Sequence, residues 1–162
     1  MSRFTGPLRI EELADGRTWV LLEDLVWEVG ELGSGRIIRV PARFTTDGAS
    51  VPTIALPFTG GRFGKFTRAA TLHDWLYFAT QKRDLVAADP ALAGWTRRTI
   101  DAEFLLSMKA LEVIWWRRDG MWLAVRIAGG WAYRGNAKKT LDDKMRAPDE
   151  PTVGAARTLP AV

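Results

Sequence analysis

Apolar positions divide the chain into two halves with different periods. In the first half, Leu25, Trp27 and Val29 fall on alternate positions, as do Ile38 and Val40 within Arg36 to Phe44. A period of two puts one row of side chains on the buried face of a strand. Thr18 to Leu22 is a further β-rich run, and Gly33-Ser34-Gly35 has the composition of a turn. The simplest topology is a hairpin joining the runs on either side of that turn, with Pro41 marking an edge or a bulge.

The second half carries the helical period. Ala69, Leu72, His73, Leu76 and Tyr77 recur at three and four and predict a helix from Phe66 to about Thr80. Ile100, Phe104, Met108 and Leu111 predict a second helix over roughly Thr96 to Trp115, with Asp101 at the edge of its stripe. Met121, Val125 and Ala128 predict a third, shorter helix over Gly120 to Ala132. Between these lie two stretches read as loop. Lys82 to Gly94 contains Asp89-Pro90, and Thr45 to Lys65 contains Asp47-Gly48, Pro52, Pro57, Gly60-Gly61 and Gly64. A loop as long as the latter is usually functional or disordered, and Val51, Ile54, Leu56 and Phe58 argue that it packs down.

Strands followed by helices, rather than alternating with them, predict an α+β fold. Its expected parts are an N-terminal antiparallel hairpin or small sheet, a long loop, and two to three packed helices. One globular domain is expected over residues 1–135, with the β part at about 1–46 and the helical part at about 66–135. Residues 136–162 turn charged and then rich in Pro, Ala and Gly, and are expected to form a flexible tail.

Composition narrows the chemistry. At 162 residues without cysteine, the chain has no disulfide, thiolate metal site or Cys nucleophile. Met1 to Leu13 has no apolar core like that of a signal peptide, and Lys109 and Glu112 interrupt the most apolar stretch, so no membrane span is expected. The net charge of +4 is spread over pairs such as Lys82-Arg83 and Arg117-Arg118 rather than one dense stripe, which counts against nucleic acid as a partner. Eight Trp residues are many for this length, and Trp95, Trp115, Trp116, Trp122 and Trp131 all lie in the second half. They fit core packing, or a flank that meets lipid headgroups, sugars or a partner protein.

His73 is the sole histidine, so two-His metal sites and relays are excluded. One imidazole with carboxylates remains. Asp74 diverges from His73 by about 100° on a helix and is poorly placed to orient the ring. Asp101, on the neighbouring predicted helix, is the better candidate, with Arg97 four residues before it as an alternative partner for its charge. His73 then reads either as a general base, taking a proton from water or from Ser50, or as a core histidine with a structural bond. Asp47-Gly48 reads either as a tight turn or, through Asp47 with Asp74, as oxygen ligands for calcium or magnesium. Ser50 as a nucleophile would lack the Gly-x-Ser-x-Gly elbow. Gly60-Gly61-Arg62-Phe63-Gly64-Lys65 lacks Walker spacing and is not a nucleotide loop.

Phe44-Thr45-Thr46-Asp47-Gly48-Ala49-Ser50-Val51-Pro52, then Leu72-His73-Asp74-Trp75-Leu76-Tyr77, then Arg98 with Asp101 and Phe104, then Met108, together resemble the phage and prophage family DUF1353, a domain of unknown function. The resemblance runs from about Arg36 to Trp131. It implies a small phage-encoded protein of the kind found among late genes for tail or lysis functions, and makes Asp47, Ser50, His73, Asp74, Tyr77 and Asp101 the site candidates. Locally, His73-Asp74-Trp75-Leu76-Tyr77 is similar to the His-Asp-x-Cys-Tyr helix of secreted phospholipases A2. There the His is the base, the Asp binds calcium with a Gly-rich loop, and an Asp on the antiparallel helix orients the His. The Cys and the disulfides of that family are absent here.

Three functions are therefore expected to compete. One is a His73/Asp101 hydrolase of envelope lipid or peptidoglycan, assisted by a cation on Asp74 and Asp47, with Tyr77 and Gly48 supporting the site. Another is a non-catalytic virion or assembly protein, for which oligomers and phage structural partners are expected. The third is a host-directed binding module. In each case the protein is expected to be made in the host cytoplasm, from which it would join a virion or reach the envelope.

Overall fold

The computed structural model describes residues 2–16, 18–30, 33, 35–46 and 64–145. The first part is all β. Strands β1 (Arg3–Phe4), β2 (Ile10–Glu12), β3 (Trp19–Leu21), β4 (Leu25–Glu28), β5 (Ile37–Val40) and β6 (Thr45–Thr46) form two antiparallel three-stranded sheets, ordered β1-β4-β5 and β2-β3-β6. The predicted hairpin is the β4–β5 pair, with Trp27 opposite Ile38 and Leu25 opposite Val40. All four side chains are buried, while Ile37 and Arg39, on the alternate positions of β5, are exposed. The alternation therefore does set the register. Strand β3 falls in the β-rich run Thr18 to Leu22, whereas β1, β2 and β6 are too short to show a period.

The helices follow: α1 (Thr67–Ala79), α2 (Arg83–Ala88), a 3₁₀ turn (Pro90–Leu92), α3 (Arg97–Ala110), α4 (Trp115–Lys138) and α5 (Leu141–Lys144). The molecule is α+β, as expected. Helix α1 is central. Ala69, Thr71, Leu72, His73 and the whole run Trp75–Ala79 are buried, so it lacks a solvent face over most of its length. It packs against β4 and β5 on one side and against α3 and α4 on the other. Trp27 joins the layers, because its fully buried indole donates from Nε1 to Glu103 Oε1 on α3 at 2.7 Å.

Three helix assignments need correction. Lys82 to Gly94 is not all loop but holds α2 and the 3₁₀ turn. Helix α2 buries none of its residues, so it leaves no apolar period to read. The predicted helix over Thr96 to Trp115 stops at Ala110. The Val113 N–H donates to Met108 O and the Glu112 N–H to Lys109 O, which together form a Schellman closure. That closure needs a left-handed residue, usually Gly; here Glu112 takes it at φ 54°, so the usual signal is missing. The third helix runs from Trp115 to Lys138, well beyond Gly120 to Ala132, because exposed Trp and Ile on its outer side obscure the amphipathic pattern.

The folded chain also extends past residue 135. Thr140 caps α5 in a reciprocal box with Asp143. Lys144 is buried, its carbonyl accepts from Thr45 Oγ1 at 3.1 Å, and Met145 bridges to Phe44. The ammonium of Lys144 lies 5.2 Å from the Phe44 ring centroid and donates to Thr45 O. Residues 140–145 therefore clamp β6 and are not part of the flexible tail expected over 136–162.

Candidate functional site

Asp101 is the hub of the site. It has no exposed surface, and four side chains converge on it. His73 Nε2 lies 3.1 Å from Oδ1, and the Tyr77 hydroxyl donates to the same oxygen at 2.5 Å. Arg126 Nη1 donates to Oδ2 at 2.9 Å, and Arg97 Nε lies 3.7 Å from that oxygen. The groups come from three helices: His73 and Tyr77 one turn apart on α1, Arg97 and Asp101 one turn apart on α3, and Arg126 on α4. The spacing of four that places each pair on one face is the spacing visible in the sequence.

Electrostatics settle the proton positions. Burial alone would push the Asp101 carboxyl up. The hydrogen bonds from His73, Tyr77 and Arg126 outweigh that and hold it below its ordinary value. Asp101 is therefore an ionised acceptor, and His73 Nε2 must be the donor. In the neutral ring this fixes the tautomer and leaves the lone pair on Nδ1. Burial, followed by the bond to Asp101, pushes the Tyr77 phenol far up, so it stays a protonated donor. The imidazole lies between the Tyr77 and Phe104 rings, at centroid distances of 4.0 and 4.8 Å.

Two helix glycines make room for the cluster. A Cβ on Gly129 would stand 2.7 Å from the Tyr77 hydroxyl, and one on Gly130 would stand 3.2 Å from Arg97 Nη1. Arg97 Nη2 also donates to the carbonyls of Val125 and Arg126, which fastens α3 to α4. A mid-helix Gly costs about 1 kcal/mol relative to Ala. Such a pair inside a helix therefore signals close approach of a neighbour. Arg126 gave no clue, since a lone Arg on a helix reads as solvated.

Asp74 points elsewhere, as the helix geometry requires. Its Oδ2 accepts from Thr46 Oγ1 at 2.7 Å, at the end of β6. Asp74 thus bonds the last described residue before the Asp47-Gly48-Ala49-Ser50 segment. Asp47, Gly48 and Ser50 themselves lie outside the described residues. Among the described residues no cluster of three or more His, Asp or Glu could hold a metal ion. No described helix is long and apolar enough to cross a membrane.

The fold and cluster define an α+β domain with a buried His–Asp–Tyr hub between two of its helices. The model of the family of proteins of unknown function, DUF1353, matches residues 19–125, and the chain belongs to that family. The match starts earlier than the resemblance read from Arg36, taking in β3 and β4, and ends within α4. None of the curated proteins and none of the solved structures matches the chain.

Proposed function

We propose that this protein is a hydrolase of cell-envelope material, acting in phage lysis or host penetration, with His73 as general base. The observation that carries the reading is the bond from His73 Nε2 to an ionised, fully buried Asp101, which leaves Nδ1 as the proton acceptor. Nδ1 takes a proton from water, and the resulting hydroxide adds to an acyl carbonyl. The proton then returns to the leaving oxygen or nitrogen as the acyl bond breaks. Asp101 stays ionised throughout and is a positioning residue; Tyr77 and Arg126 hold it. The finer part of the reading has Asp74 and Asp47 as oxygen ligands for calcium or magnesium, and Ser50 as an alternative source of the proton that His73 takes.

The test uses purified protein on isolated bacterial envelopes, measuring release of fatty acid and of soluble wall fragments. His73→Gln keeps a donor for Asp101 but removes the base, so release should vanish while the melting temperature stays within a few degrees. Absence of release by the wild type, or full activity in His73→Gln, rejects the hydrolase. Millimolar calcium or magnesium should raise the melting temperature of the wild type and not of Asp74→Asn. A flat response removes the cation and leaves the base.

A second reading is supported by the complete satisfaction of Asp101 within the protein. In that reading the cluster only locks α1, α3 and α4 together, and the chain serves as a non-catalytic virion or assembly protein. Many copies per particle by mass spectrometry of purified virions would favour it.

A further inference from the structure

Helix α4 carries apolar side chains on both sides. Met121, Ala124, Val125 and Gly129 are buried against the protein. On the opposite side Trp116, Leu123, Ile127 and Trp131 are 42, 53, 68 and 81% exposed. At 100° per residue these four fall within an arc of about 80°, as one stripe roughly 22 Å long. A solvated helix face would carry polar residues there, so the stripe calls for a partner. Arg134 and Lys138, both exposed, continue the same arc toward the helix C-terminus. Outside the inner cluster, the cations from Trp115 to Lys139 are Arg117, Arg118, Arg134, Lys138 and Lys139, against the single acid Asp119, which pairs with Arg118.

We propose that the outer face of α4 docks the protein on an anionic phospholipid surface, with the helix lying in the interface plane. Charge decides between occupants. Two copies pairing stripe to stripe would bring these cations together with only Asp119 on each side to offset them. An anionic bilayer takes both features at once, with aliphatic Leu123 and Ile127 below the headgroups and the cations among the phosphates. Trp116 and Trp131 stand toward the two ends of the stripe, and an indole suits headgroup depth. No residue of the stripe bonds to the Asp101 cluster, so the proposal stands independently of the hydrolase.

The experiment is flotation of the full chain with vesicles of phosphatidylcholine, alone or mixed with phosphatidylglycerol, followed by Trp emission. Expected are binding to the mixed vesicles with a blue shift, weakening as salt rises, and little binding to phosphatidylcholine alone. Combining Ile127→Glu with Trp131→Glu should cut partitioning by on the order of tenfold or more with the melting temperature unchanged, since both sites are exposed. Arg134→Glu with Lys138→Glu should weaken binding to the mixed vesicles selectively. The proposal is overturned if the wild type does not float at low salt. It is equally overturned if the Ile127→Glu, Trp131→Glu protein binds as well as the wild type, or if sedimentation shows a dimer that Ile127→Glu dissolves.

Discussion

The two faces of α4 reverse the usual order of a protein. Its inner face receives charge: Arg126 and the glycine notch at Gly129 and Gly130 meet Asp101, Tyr77 and Arg97. Its outer face shows indole and aliphatic carbon to solvent. Buried polar groups and exposed apolar stripes are the informative exceptions to hydrophobic burial. Here both exceptions fall on one helix. Every charged group in the inner cluster has a partner within the chain, so its role is met internally. The outer stripe has none among the described residues, and its proposed role lies with a lipid surface.

The largest effect should come from breaking the inner face. Asp101→Ala would leave two guanidiniums, an imidazole and a phenol facing an empty buried site, at a cost of about 3–5 kcal/mol by chemical denaturation. Asp101→Asn should cost less and should also change the acid limb. The lowered carboxyl pKa gives stability that is present above about pH 3.9 and lost as pH falls through the folded value. The Asn variant should therefore lose less stability on acidification than the wild type.

A smaller effect should sharpen the comparison. Gly129→Ala adds a methyl group 2.7 Å from the Tyr77 hydroxyl and should destabilise by about 1–3 kcal/mol, despite the better helix propensity of Ala. On the same helix Gly135 meets nothing within 4 Å, so Gly135→Ala should stabilise by up to about 1 kcal/mol. Opposite signs in thermal melts would show that the notch, and not the helix, requires glycine.

The smallest effect concerns Glu103, the other buried carboxylate on α3. Burial raises its pKa, while the Trp27 bond and the charge of Arg36 act against the rise. A raised carboxyl gives stability that is full below about pH 4.3 and lost as pH rises through the folded value. Glu103→Gln keeps an acceptor for Trp27 Nε1. It should raise stability at pH 7 by on the order of 0.5 kcal/mol, with the gain gone below pH 4. Equal melting curves at both pH values would contradict the sign.

Much of the hub was legible because helix geometry is regular. The spacing of His73 and Tyr77, the edge position of Asp101 and the divergence of Asp74 all follow from 3.6 residues per turn. The structure brings His73, Tyr77 and Asp101 together and sends Asp74 to Thr46. What was not legible has specific causes. Glu112 ends α3 in a conformation normally flagged by Gly. Helix α2 buries nothing. Lys144 is a buried cation, which no hydropathy pattern announces. Arg126 reaches Asp101 across a tertiary contact that sequence spacing does not encode.

The clamp between Lys144 and Thr45 also has a consequence in time. It joins residues 99 apart in sequence, so it cannot form until nearly all of the described chain has been made. At roughly 5–20 residues per second, a ribosome leaves Thr45 waiting about 5–20 s for Lys144. During that interval β3 alone supplies the strand pairing of β6. Thr46, the residue that bonds Asp74, thus lies on a strand whose support is completed late in synthesis, after the helices that carry His73 and Asp101 have emerged.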